Sequence, residues 1–227
     1  MANDFRLPGN SHHHAILGSN GSGKTRFAVW ALSHRDYHSR PWIIIDFKGD
    51  DLIARLPAKE IDVTDKLPKP SQPGIYVVRP LPQQQDELGD MLVRIWQQEN
   101  MGVYFDEGYM VERGSAADDG LKYILTQGRA KKIPTMTLSQ RPVWVNRFVL
   151  SEATFYSVFR LNDRRDRETV QAFMPKEAMQ ELPPFHSWYY DSGQNALNRV
   201  QPVPDDEGIL AGFRSLEKPK AKRFFFI

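Results

Sequence analysis

The stretch GSNGSGKT, Gly18 to Thr25, constrains what this chain can fold into more than any other. It stands between the apolar run Ala15 to Leu17 and KTRFAVWAL, which reads as a helix. Glycines make tight turns because they tolerate positive φ, yet a plain turn gives no reason for Lys24 and Thr25 at its end. The octet fits G-x-x-x-x-G-K-[ST], a loop whose backbone N–H groups wrap a phosphate chain at a helix N-terminus. Gly18, Ser19, Asn20, Gly21, Ser22 and Gly23 then form a cradle for ATP. Lys24 reaches the β- and γ-phosphates, and Thr25 offers its hydroxyl to Mg²⁺.

Apolar runs bounded by turn residues recur along the chain with helical stretches between them, the pattern of an α/β protein with a mostly parallel sheet flanked by helices. Strands are expected at His14 to Leu17, Trp42 to Asp46, Ile75 to Arg79, Gly102 to Asp106, Pro134 to Ser139 and Thr154 to Leu161. Helices are expected at Lys24 to Ser33, Gln85 to Glu99 and Ala117 to Lys132, while proline-rich Leu56 to Pro73 reads as a surface connection. After Leu161 the pattern changes. Asp163 to Phe173 suggests a charged helix, and Phe185 to Asp191 a strand that pairs with Leu197 to Val200 across the turn SGQN. One domain, residues 1–202, accounts for these elements. From Val203 prolines and charges dominate, so residues 203–227, ending EKPKAKRFFFI, read as an extended basic and aromatic tail that seeks a partner surface or folds back on its own core.

Thirty Lys and Arg against 28 Asp and Glu leave a net charge of only +2. Any nucleic-acid surface is then a local patch, or a ring built from several copies. The chain has no cysteine, which excludes disulfides, thiol catalysis and thiolate metal sites together. No run approaches the roughly 18 apolar residues of a spanning helix, and MANDFRLPGN is no targeting signal. A soluble protein is expected. His12 to His14 read as the lead-in to the first strand rather than as a metal site.

A phosphate cradle alone supports binding; hydrolysis needs more. MGVYFDEGY, Met101 to Tyr109, is an apolar strand ending in two acids. At a strand end Asp106 holds Mg²⁺ beside Thr25, and Glu107 orients or deprotonates the attacking water. The spacing from the loop suggests a strand neighbouring the first. The next strand, IPTMTLSQRP, ends on Gln140, whose amide can donate to a γ-phosphate and accept from the lytic water. GRAKK, Gly128 to Lys132, sits just upstream. Its charges suit a helix C-terminus, but Arg129 is also the first choice for an arginine finger supplied to a neighbouring subunit. Arg160, Arg164 and Arg165 compete for that role.

Taken together these residues resemble the FtsK–HerA superfamily of DNA-pumping ATPases. The second strand ends IIDFKGD, close to the family's D-P-K-G-[DE] with Phe47 in place of proline, and the acids Asp106 and Glu107, the S-Q-R-P at Ser139 to Pro142 and the upstream arginine complete the set. Being short, the chain looks like the genome-packaging ATPases of tectivirus-like phages with an internal membrane. The resemblance implies a RecA-like core of the ASCE class. It also implies a ring, a hexamer, that uses ATP and Mg²⁺ to drive double-stranded DNA into a preformed capsid. Such a protein works in the host cytoplasm during assembly and at the packaging vertex of the virion, where a capsid or membrane protein docks the tail. The GYMVERGSAADDG loop after Glu107, with Lys131, Lys132 and Arg147, supplies candidate channel residues.

Three other readings use the same loop. A small-molecule kinase would need a mobile arginine-rich lid, and a filamentous-phage assembly or secretion motor would be expected to carry a membrane anchor. The third is an ATP-binding vertex or scaffold protein without turnover.

Overall fold

The short apolar runs expected to be strands lie side by side in one sheet. The structure, a computed structural model, describes residues 6–214. In chain order the strands are β1 (His14–Leu17), β2 (Pro41–Ile45), β3 (Ala58–Glu60), β4 (Gly74–Val78), β5 (Gly102–Phe105), β6 (Thr135–Ser139), β7 (Phe155–Val158), β8 (Ser187–Asp191) and β9 (Ala196–Val200). The helices are α1 (Lys24–Ser33), α2 (Asp51–Ala54), α3 (Gln85–Gln98), α4 (Ala116–Gln127), α5 (Phe148–Ser151), α6 (Arg164–Gln171) and α7 (Asp206–Arg214). The sheet runs β3-β4-β2-β5-β6-β1-β7-β8-β9, with β8 and β9 antiparallel and every earlier pairing parallel.

Every residue of β1, β2, β5, β6 and β7 is buried, as parallel strands covered on both faces must be. The period of two divides them between two cores. Ile43, Ile45, Val103 and Phe105 face α3 and α4, whereas Trp42, Ile44, Tyr104 and Leu138 face α1, α2 and α7. β1 lies between β6 and β7, so the chain leaves it by α1, passes over two strands and enters β2. Open α/β sheets bind ligands at the carboxyl ends of strands near such a switch.

Four expectations are corrected. β5 is not the neighbour of β1, because β6 is inserted between them and bonds to both. The helix expected to run to Lys132 ends at Gln127: Ile133 N–H donates to Gly128 O (2.7 Å), and Lys132 takes φ 55°, reversing the chain into β6. The connection 56–73 contains β3, a short edge strand in register with β4. The segment after Val203 is not extended throughout. Ile209, Leu210 and Phe213 recur on one face and bury it in the core beside α1, forming α7. Residues 215–227, with the basic and aromatic end of the expected tail, lie outside the described residues.

Candidate active site

The loop between β1 and α1 is fastened to the strand ends on both sides of it. Gly18 N–H donates to Ser139 O at the end of β6 (3.1 Å), and Ser19 N–H donates to Arg160 O just beyond β7 (2.9 Å). A Cβ on Gly18 would lie 2.6 Å from Phe159 Cβ, so only glycine fits this approach. Gly23 caps α1 in the left-handed region at φ 99° and brings no side chain to the helix end, leaving that N-terminus without a side-chain cap. Such an end suits an anion. Lys24 is buried, with Nζ 3.4 Å from Ser19 O. Burial lowers its pKa and Lys48 adds to the fall, while Glu107 and Asp106 oppose it.

The parallel register carries four further groups to the same edge. Asp106 and Glu107 follow β5, Gln140 follows β6, and Lys48 follows β2. Asp106 is 2% exposed, and among the described residues no hydrogen bond reaches its carboxylate. Burial first, then the nearby Asp50, Asp46 and Glu107, push its pKa up to about 8 against the pull of Lys48. A buried carboxyl without a partner fits a divalent cation. The described residues hold no cluster of three acidic, His or Cys groups able to cage one, and Mg²⁺ characteristically takes one or two carboxylates with substrate phosphates and water. Thr25 and Asp106 are the residues that would hold it.

Glu107, by contrast, is fully engaged. One oxygen accepts from the Lys48 ammonium and the other from Gln140 N–H (3.2 Å). Lys48 is aimed by the turn IIDFKGD. Asp46 Oδ1 accepts from the N–H groups of Lys48 (3.3 Å), Gly49 (2.8 Å) and Asp50 (3.2 Å), and its Oδ2 pairs with Arg79 Nε (3.0 Å). Phe47 packs on the core. Gln140 Nε2 donates to the Tyr109 hydroxyl (2.8 Å), and the Tyr109 ring meets Trp144, over which Arg141 stacks at 4.1 Å. Lys48 as the cation on Glu107, and Tyr109 as the partner of Gln140, were not assigned from sequence. The available signal was the lysine two residues past the acid of the second strand and the tyrosine two past Glu107.

Arg129 is not brought to this edge. It is exposed in the turn after α4, where its charge is felt by His12 and His13 at the start of β1, the opposite edge of the sheet. Lys131 and Lys132 share that far edge; Lys131 pairs with Glu99 and lies over Trp96. Of the competing arginines, Arg160 lines a cavity with Gly21 and Ser22, and Arg164 pairs with Glu168 at 2.7 Å. The loop after Glu107 is shorter than its sequence suggests, since Ala116 already begins α4. His13 and His14 are buried against Thr135 and Ser157, and burial pushes them down to about 4 and about 3.

A protein of the phage PRD1, the DNA packaging ATPase P9, is 41% identical over 228 residues, covering 95% of this chain and 98% of the phage protein. The chain belongs to the PRD1 packaging ATPase family. No model of a known protein family matches it. Among solved structures, the genome packaging NTPase B204 of Sulfolobus turreted icosahedral virus 2, in complex with AMPPCP, superposes with a TM-score of 0.64 at 16% identity, covering 86% of this chain and all of that one. VirB4 of Thermoanaerobacter pseudethanolicus gives 0.63 at 11% identity, over 86% of this chain and 90% of its own. At these identities the structural likeness establishes the fold of the packaging ATPase family member, a P-loop α/β domain.

Proposed function

We infer that this chain is an ATPase that drives double-stranded DNA into a viral capsid. Kinship with the PRD1 DNA packaging ATPase supports the reading. The observation that carries the chemistry is buried Glu107, held by Lys48 and the Gln140 backbone at the strand edge that also carries the phosphate cradle. In this reading Gly18 to Lys24 bind the triphosphate, and Thr25 and Asp106 hold Mg²⁺, which supplies charge neutralisation on the phosphates. Glu107 takes a proton from the water that attacks the γ-phosphorus, and the bond to the ADP oxygen breaks. Gln140 positions that water. A cation on the developing charge is worth several orders of magnitude in rate. Because Arg129 lies on the far edge, it serves only in trans, within a homo-oligomeric ring, a hexamer.

DNA phosphates contact the channel side of the ring without reading sequence. The protein acts in the host cytoplasm during assembly and at the packaging vertex of the virion, where a capsid or membrane protein receives the C-terminal segment. The test is ATP hydrolysis with and without long double-stranded DNA at low and moderate salt. Stimulation by DNA that weakens as salt rises is expected. Hydrolysis indifferent to DNA at every salt concentration would contradict a DNA motor, and tight ATP binding without turnover would assign a scaffold instead.

A further inference from the structure

We propose that Phe185 is the platform on which the base of the bound nucleotide stacks. The inference rests on the phosphate-binding reading of Gly18 to Thr25 and deepens it. Phe185 is a large apolar ring left 54% exposed. Its backbone lies in the left-handed region at φ 62°, a costly conformation for a bulky residue, of the kind found at ligand clamps where the surroundings impose it. Pro183 and Pro184 precede it and fix two successive backbone angles. The ring leans over the phosphate loop: a Cβ on Gly23 would lie 3.3 Å from Phe185 Cδ1.

A cavity of about 280 Å³ adjoins the ring, bordered by Gly21, Ser22, Arg160, Pro184 and His186. Pockets for whole small ligands span roughly 300–1,000 Å³. This one has room for a base, with the phosphates in the cradle beside it. A second cavity that touches the ring, with Gly23, Arg26 and Phe159, holds only about 60 Å³, too little for a base. Arg160 brings a cation to the larger cavity, favourable beside a π-system. Stacking uses the face that every base offers and leaves its edge unread. The site therefore takes nucleoside triphosphates as a class, with weak discrimination between ATP and GTP.

Calorimetric titration of ATP, GTP and inorganic tripolyphosphate, each with Mg²⁺, into the full chain tests this. Phe185→Ala is expected to weaken ATP about tenfold and to leave tripolyphosphate unchanged, Phe185→Trp to keep ATP affinity, and GTP to bind within about tenfold of ATP. The unchanged tripolyphosphate isotherm shows that the variant is folded. Unaltered ATP affinity in Phe185→Ala, or equal losses for ATP and tripolyphosphate, would overturn the platform. Failure of the unsubstituted protein to bind any of the three would overturn the phosphate-site reading beneath it.

Discussion

Asp106 and Glu107 adjoin in sequence but have different surroundings: Glu107 is held by Lys48 and Gln140, whereas among the described residues no hydrogen bond reaches the Asp106 carboxylate. With its pKa raised to about 8 in the fold, against roughly 3.9 when unfolded, Asp106 keeps its proton in the folded state while the unfolded chain has lost it. Stability from this group is complete below about pH 4 and is lost as pH rises toward 8. Asp106→Asn therefore raises the unfolding temperature of nucleotide-free protein at pH 8 by roughly 2–4 °C and changes it little at pH 4, while abolishing hydrolysis; parallel melts at the two pH values check this. Lys48→Ala leaves the Glu107 carboxylate buried without its cation, at a cost of about 1–3 kcal/mol in urea unfolding, and lowers kcat more than it changes ATP affinity. The Gly18 to Thr25 loop, the two acids and Gln140 could be singled out from the sequence because each is a local pattern, and the fold brings them to one edge. The Lys48 pair was not, since its partners stand 59 residues apart and only the pairing of β2 with β5 joins them.

At the scale of elements, the buried strands were readable to within a few residues because short, mostly apolar runs bounded by turn residues are too brief for helices of ordinary length and suit buried strands. β3 was missed for the opposite reason. Its residues Ala58 to Glu60 are half-exposed or exposed at the sheet edge, so no apolar pattern marks it. α7 was obscured by the prolines before it and the acids of its first turn, although Ile209, Leu210 and Phe213 carry a helical spacing. These acids have partners: Arg26 pairs with Asp206 at 2.9 Å, and Arg55 pairs with Glu207. Tyr37 packs on Phe213 with ring centroids 5.4 Å apart. α7 thus covers α1, the helix that presents the phosphate site. Leu210→Ala is expected to cost about 2–5 kcal/mol in chemical denaturation, as for any well-packed core leucine. A loss below about 0.5 kcal/mol would mean that the segment behaves as a tail.

For the whole molecule, the parallel sheet gathers the phosphate loop, Asp106, Glu107, Gln140 and Lys48 at one edge and leaves Arg129 at the other. The proposed ring, in which Arg129 of each copy completes its neighbour's site, is compatible with that division, and complementation tests it. Arg129→Ala and Glu107→Gln should each lose turnover while keeping ATP affinity. Mixed in equal amounts they should recover part of it, because some interfaces then join an intact base to an intact arginine. No recovery, with Arg160→Ala equally inactive alone, would move the finger to Arg160. Hydrolysis of ATP through Glu107 to move DNA, as proposed for this fold, is decided by steady-state turnover on long double-stranded DNA, comparing the unsubstituted chain with Glu107→Gln while ATP binding is followed in parallel. DNA-stimulated turnover should fall at least about a hundredfold in Glu107→Gln with ATP binding retained. Equal turnover in the two proteins would contradict it.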